Sequence, residues 1–165
     1  MRTSLEHFSR DAETGVLLHP EYSGFEYSDG AATEQLIYDA LKTSVDRSCN
    51  STELQAKIVD WATEYHFTPV RHNLLRHLDF QPGIKVLELG AGCGAITRQL
   101  GETGATITAI EGSLARARAA SERCRDLPNV KVHCSDFNNI ALEPVYDVVT
   151  LIGVLEYLAV FNGRV

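Results

Sequence analysis

No apolar run in this chain reaches the length of a membrane span, so a bilayer-crossing helix is not expected. The N-terminus, Met1-Arg2-Thr3-Ser4-Leu5-Glu6-His7, lacks the apolar centre of a signal peptide. A cytoplasmic location is the expectation from both absences. Basic charge is short as well: 15 Lys and Arg face 22 Asp and Glu, a net charge of −7. A nucleic-acid partner, which needs a basic face, is therefore not expected. Arg116, Arg118, Arg123 and Arg125 share one predicted helix and read as its solvated face. The cysteines, Cys49, Cys93, Cys124 and Cys134, show no CxxC spacing. That argues against a zinc site and fits free thiols in a reducing compartment. Repeats and low-complexity tracts are absent too.

What is present is an ordinary globular composition, 44% hydrophobic over 165 residues, enough for one domain with a core. Residues 1 to 30 are turn-rich, with short strands expected at Val16-Leu17-Leu18 and Phe25-Glu26-Tyr27. Leu36, Ile37, Ala40 and Leu41 predict a helix from Ala32 to about Val45. A second helix is expected from Thr52 to Glu64, capped by Thr52 with Gln55 and burying Leu54, Ile58 and Trp61. Thr68 and Pro69 open a third, which turns Val70, Leu74, Leu75 and Leu78 inward.

After Gly83 the pattern alternates between strand and helix. Strands are expected at Ile84–Leu89, Thr106–Ile110, Val130–Cys134 and Tyr146–Ile152, with helices from Ala95 and Leu114 between them. Such alternation implies an α/β fold, a doubly wound parallel sheet with helices on both faces. Residues 1–81 read as a turn-rich and helical cap or lid, and residues 82–165 as the N-terminal part of a Rossmann-like core with four strands present.

Lys85-Val86-Leu87-Glu88-Leu89-Gly90-Ala91-Gly92-Cys93-Gly94 carries the strongest functional signal. A buried strand runs into a glycine turn and then a helix, the layout of a nucleotide-type site. Glu88 ends strand one, Glu111 follows strand two, and Asp136 follows strand three. In such a sheet these positions gather at one crevice. Glu111 lies 21 positions after Gly90, the spacing at which an acid meets ribose hydroxyls. Asp136 is suited to the exocyclic amine of adenine, and Phe137 either covers that ring or packs in the core. Glu88 would repel a pyrophosphate and attract a sulfonium and an ammonium. An NAD-dependent oxidoreductase is the rival reading, since Gly90 to Ala95 satisfies G-x-G-x-x-A. A non-catalytic cofactor-binding module is a third.

Residues 86–94 resemble the first motif of the class I S-adenosylmethionine-dependent methyltransferases. Ala109-Ile110-Glu111-Gly112-Ser113 is similar to their ribose-binding segment, and Ser135-Asp136-Phe137 to their adenine-side acid. Tyr146 to Tyr157 resembles their fourth strand and the start of the next helix, so the likeness covers about residues 82 to 158. More loosely, Asp60 to Phe67 with Arg71 and Asn73 resembles bacterial methyltransferases associated with glycosyltransferases, which suggests a glycosyltransferase partner or fusion.

The resemblance implies S-adenosylmethionine as cofactor; the methyl acceptor stays open among sugar hydroxyl, small metabolite, lipid and protein, with a small molecule or sugar favoured. It implies contacts from Gly90, Ala91, Gly92, Cys93 and Gly94 to the methionine part, with Glu111, Gly112 and Ser113 at the ribose. Asp136 and Phe137 would take the adenine, and Ile152 and Gly153 would flank the methyl group. Tyr65, His66 and Arg71 would form a lid, Arg71 near the cofactor carboxylate and His66 as general base. His72, His77 and His133 are expected on helix or strand surfaces. Family members have seven strands, so a truncated fold is expected, with self-association through the open edge of strand four.

Overall fold

The computed structural model describes residues 2–24 and 30–155. The chain begins with β1 (Thr3–Ser4), a 3-10 turn at Leu5–His7, and the strands β2 (Ser9–Arg10) and β3 (Leu17–Leu18). Helices α1 (Ala31–Thr43), α2 (Thr52–Gln55) and α3 (Trp61–Phe67) follow, then a 3-10 segment at Pro69–Leu74. Strand and helix then alternate through β4 (Lys85–Leu89), α4 (Ala95–Glu102), β5 (Thr106–Glu111), α5 (Leu114–Arg123) and β6 (Val130–Cys134). A 3-10 turn at Phe137–Asn139, β7 (Ile140–Ala141) and β8 (Val148–Leu151) complete the described elements.

The main sheet has the order β2-β3-β6-β5-β4-β8, and β1 pairs separately with β7. Every pairing in the main sheet is parallel except the β2–β3 hairpin. The expected Rossmann-like α/β fold and its four strands are present as β4, β5, β6 and β8. Two further strands, β2 and β3, extend the sheet beyond β6, so it draws on both sides of residue 82. From β4 the chain steps outward to β5 and β6, then returns to lay β8 on the other side of β4. This reversal is the switch point of an open α/β sheet, and ligands bind there at the carboxyl ends of the strands.

Alternation along the strands divides the core between two faces. Val86, Ile107, Ala109 and Val132 pack with Ile96 and Leu100 of α4 and Ala117 and Ala120 of α5. On the opposite face Leu87 and Ile110 pack with Phe8 and Ile140. Helices on both faces were expected. Among the described residues, the N-terminal segment and β7 close the second face instead.

The region before residue 82 departs most from expectation. In α1 Ile37 and Leu41 are buried but Leu36 is exposed. The single helix expected from Thr52 is two short ones. Ser51, not Thr52, caps the first by accepting from the Leu54 N–H at 3.1 Å. Asp60 and Thr63 form a capping box that starts the second. Trp61 thus sits in a first helical turn, 73% exposed rather than buried. The expected helix from Thr68 is a 3-10 segment, whose tighter repeat leaves Val70, Leu74 and Leu78 exposed and only Leu75 buried. Phe25-Glu26-Tyr27 and the helix after strand four lie outside the described residues.

The arginines of α5 are not one solvated face either. Arg118 and Arg125 are exposed, while Arg116 pairs with Glu34 of α1 at 3.2 Å. Arg123 is 1% exposed and donates to the His66 carbonyl at 2.7 Å. His72 and His133, expected at the surface, are buried. β8 pairs only with β4 among the described residues, leaving Val149 and Leu151 exposed at the sheet edge.

His133 stands edge-on to Phe8 at 5.4 Å, and burial, reinforced by Lys131, lowers its pKa from 6.5 to about 4. The unfolded chain therefore binds the extra proton first as pH falls. Stability from a neutral His133 is complete above pH 6.5 and is lost progressively towards pH 4. His133→Gln should flatten that acid limb by about 2–3 kcal/mol. Urea denaturation at pH 7 and pH 4.5 measures it, and parallel profiles for the two proteins would contradict it.

Candidate functional site

The three acids stand at the carboxyl ends of the adjacent strands β4, β5 and β6. Glu88 is in register with Ala109 on one side and Thr150 on the other. The Ser135 N–H donates to the Glu111 carbonyl at 3.0 Å, which draws Asp136 alongside Glu111. Glu111 joins two loops with one carboxylate. Its Oε2 accepts from the Gly92 N–H at 2.7 Å, and its Oε1 from the Ser113 N–H at 2.9 Å. Burial raises the Glu111 pKa, while these N–H groups and Arg116 act against it.

The turn itself shows why glycines stand there. Gly94 has φ +78, and a Cβ on it would come within 2.8 Å of the Ala120 backbone, so α5 packs directly on the turn. Gly92 has φ +56 and nothing within 4 Å of where a Cβ would sit, leaving its backbone open to close approach. Val154, three residues past β8, lies directly against Gly90, where a Cβ would have no room. Cys93 is buried, and burial pushes its thiol up to about 12. It is packing, not a nucleophile.

The N–H groups of Gly90 and Ala91 both donate to the Ile110 carbonyl, and that of Gly94 to the Ala91 carbonyl. With Gly92 donating to Glu111, these four donors are engaged within the protein. A pyrophosphate needs such donors free. These four donors are not free for a pyrophosphate.

Glu88 is 3% exposed, and its Oε2 has no hydrogen-bond partner. Burial, with the Glu111 charge added, raises its pKa to about 7; Thr97 and Arg71 act in the opposite direction. Thr97 Oγ1, Thr150 Oγ1 and Arg71 Nε are also buried without partners. Unsatisfied buried polar atoms are rare, and several around one carboxylate suit a polar ligand. The Arg71 guanidinium lies 3.8 Å from the Tyr65 ring centroid, and Tyr65 meets the His66 ring edge-on at 5.1 Å. The structure thus brings Tyr65 and Arg71 towards Glu88. It buries His66, whose carbonyl is held by Arg123.

Asp136 caps its 3-10 turn, Oδ1 accepting from the Asn138 N–H at 2.8 Å and its Nδ2 at 2.9 Å. Phe137 is half-buried against the second core face. Sequence reasoning missed Thr150, although a polar residue inside the apolar run Val148–Leu151 is itself a signal. Tyr22 was missed too. Its hydroxyl donates to the Gly112 carbonyl at 3.0 Å and accepts from the Leu114 N–H at 3.1 Å. No local pattern marks it, because its partners lie some 90 residues away.

The chain is similar to known proteins over this region. A family profile described as a methyltransferase domain matches residues 87–164. A demethylmenaquinone methyltransferase from Corynebacterium urealyticum is 40% identical over 82 residues, 49% of this chain and 34% of that protein. A malonyl-[acyl-carrier protein] O-methyltransferase from Bacillus anthracis is 37% identical over 84 residues, 47% of this chain and 31% of that protein. The chain spans about a third of the length of these relatives. Among solved structures, phosphoethanolamine N-methyltransferase 1 from Haemonchus contortus aligns with a TM-score of 0.49 at 21% identity, over 74% of this chain and 27% of that one. Over residues 87–164 the chain is thus similar to a methyltransferase domain.

Proposed function

We propose that the protein transfers a methyl group from S-adenosylmethionine to a small-molecule acceptor. The buried Glu88 carboxylate carries this reading, because its Oε2 has no hydrogen-bond partner among the described residues and stands at the end of β4, where the turn begins. Such a place favours a cationic ligand without phosphate. The cofactor fits that description and supplies an activated methyl group on a sulfonium. NAD would bring a pyrophosphate against Glu88.

Each residue then has a physical task. Glu88 faces the ammonium group, and the backbone from Gly90 to Gly94 runs beside the methionine part. Glu111 keeps lone pairs beyond those used by Gly92 and Ser113, and these take the ribose diol. Asp136 Oδ2 accepts from the adenine amine, with Phe137 against the ring. Tyr65 and Arg71 close over the carboxylate, while Ile152 and Gly153 flank the methyl group. The transfer is an in-line displacement, so the chain's main contribution is to hold donor and acceptor aligned. His66 takes the proton of a hydroxyl acceptor. The net charge of −7 disfavours RNA as acceptor. The likeness of residues 60–73 to glycosyltransferase-associated methyltransferases favours a sugar hydroxyl and a glycosyltransferase partner. The open β8 edge, with Val149 and Leu151 exposed, supports self-association by strand pairing.

Calorimetric titration with S-adenosylmethionine and NAD tests the reading. Binding of the first alone is expected, and binding of NAD alone would overturn it. Glu111→Ala should lose about 1.5–3 kcal/mol of cofactor affinity, the scale of hydrogen bonds to a charged group. Gly92→Val should abolish binding with helical content retained, since a β-branched side chain closes the open approach. Unchanged titrations for both variants would move the ligand off this loop.

Glu88 makes a second, opposed pair of effects. Its folded pKa of about 7 lies above the ordinary 4.5, so the unfolded chain releases this proton first. Stability is lost as pH rises between those values, and a cationic ligand restores it by favouring the charged form. Glu88→Gln should gain about 2–3 kcal/mol of stability at pH 8, nothing at pH 4, and lose cofactor binding. Thermal unfolding and calorimetry read both. A variant no more stable than wild type at pH 8 would remove the buried charge from the site.

For His66→Gln, turnover against a panel of sugars and small metabolites should fall at least about 100-fold while cofactor affinity holds. Full turnover would release His66 from the role of base.

A further inference from the structure

We propose that Tyr22 is a positioning residue for the ribose-binding loop, so that the segment from β3 to Tyr22 forms part of the cofactor site. This inference rests on the cofactor reading above. The loop between β5 and α5 carries the only connection from Glu111 into the next helix. Glu111 grips it from the turn side through the Ser113 N–H. Tyr22 grips it from the other side, one hydroxyl joining the carbonyl of Gly112 to the N–H of Leu114. Cys134 Sγ adds a weaker contact to the same carbonyl at 3.6 Å. Ser113 is thus held on both flanks, and its hydroxyl caps α5 by accepting from the Arg116 N–H.

Tyr22 is itself held from the sheet. β3 lies parallel to β6, with Leu17 opposite His133 and Leu18 opposite Cys134. The His19 N–H continues the ladder to the Cys134 carbonyl at 3.1 Å, and the Tyr22 N–H turns back to the His19 carbonyl at 3.1 Å. The Glu21 N–H donates to His19 Nδ1 at 3.0 Å, tightening the same turn. Tyr22 also packs against the main core with Leu114. Its hydroxyl is therefore delivered to the loop by a short, bonded path from β6. Burial holds the phenol protonated up to about pH 12, so the donor to Gly112 persists across any working range. None of this segment belongs to the matched residues 87–164.

The mechanism is pre-organisation. A ribose diol needs both Glu111 oxygens at fixed positions, and those oxygens are fixed partly by the loop they bind. Freeing Gly112 and Leu114 lets the loop sample conformations that binding must then suppress.

The test uses Tyr22→Phe, Glu111→Gln and the double variant in the full natural chain, titrated with S-adenosylhomocysteine. Tyr22→Phe keeps the ring and should weaken binding about fivefold to tenfold. Glu111→Gln should weaken it more, and the double variant should be no weaker than Glu111→Gln alone within about twofold, because both act through one loop. Hydrogen exchange at the Leu114 amide should accelerate in Tyr22→Phe without ligand. A merely structural Tyr22 would lower the melting temperature and leave affinity well below it unchanged. Affinity of Tyr22→Phe within twofold of wild type, or fully additive losses, would overturn the clamp while leaving the cofactor reading standing if Glu111→Gln still binds poorly. No binding by the wild-type chain would overturn both.

Discussion

One carboxylate ties together the two loops on which the site is built. Glu111 ends β5, yet its side chain reaches the Gly92 N–H of the turn after β4 and the Ser113 N–H of its own loop. These are charge-assisted bonds in a buried place, stronger than neutral ones and costly to break. The parallel register of β4 and β5 makes the reach possible, since Leu89 and Ile110 are paired one residue before the acid. The Ile110 carbonyl takes the Gly90 and Ala91 N–H groups as well. The turn is thereby pinned before any ligand arrives, and Glu88 is left beside it with an oxygen that no described residue satisfies.

The placement of the helices before β4 depends on the same helix that this loop opens. Arg116 of α5 meets Glu34 of α1, and Arg47 meets Glu122. Arg98 of α4 bonds Glu102, Asp126 and the Arg123 carbonyl. Arg123 reaches across to the last turn of α3, where a cation suits the unpaired carbonyls. Buried pairs of this kind add little net stability but are destabilising when one partner is removed. Their effect here is geometric. They hold the segment of Tyr65, His66 and Arg71 at one position relative to β4, so that an arginine stacked on a tyrosine stands near Glu88.

Legibility differed sharply between the two halves of the chain. From β4 to β6 the strands, helices and acids stand within a residue or two of their expected positions, because apolar periodicity and glycine placement are local signals. Before residue 82 those signals compete. Leu54, Ile58 and Trp61 keep helical spacing, but Asp60 with Thr63 offers a closer, reciprocal cap that restarts the helix and exposes Trp61. Pro69 promises a helix, yet the chain tightens into a 3-10 segment. β3 falls within the expected Val16-Leu17-Leu18 strand and pairs with the edge of β6, while β2, two residues long and too short for periodicity, pairs only with β3.

The amino-acid order alone determined the alternating α/β core, the glycine turn and the placement of three acids just at the ends of neighbouring strands, since each rests on residues adjacent in sequence. Tertiary structure decided what those residues experience. Burial, not spacing, raises Glu88 to about 7 and leaves its Oε2 unpaired. Register, not motif, sets Thr150 beside Glu88 and carries Tyr22 to Gly112. Desolvation and pairing across distant segments depend on which surfaces meet, and that is settled only when the whole chain has packed.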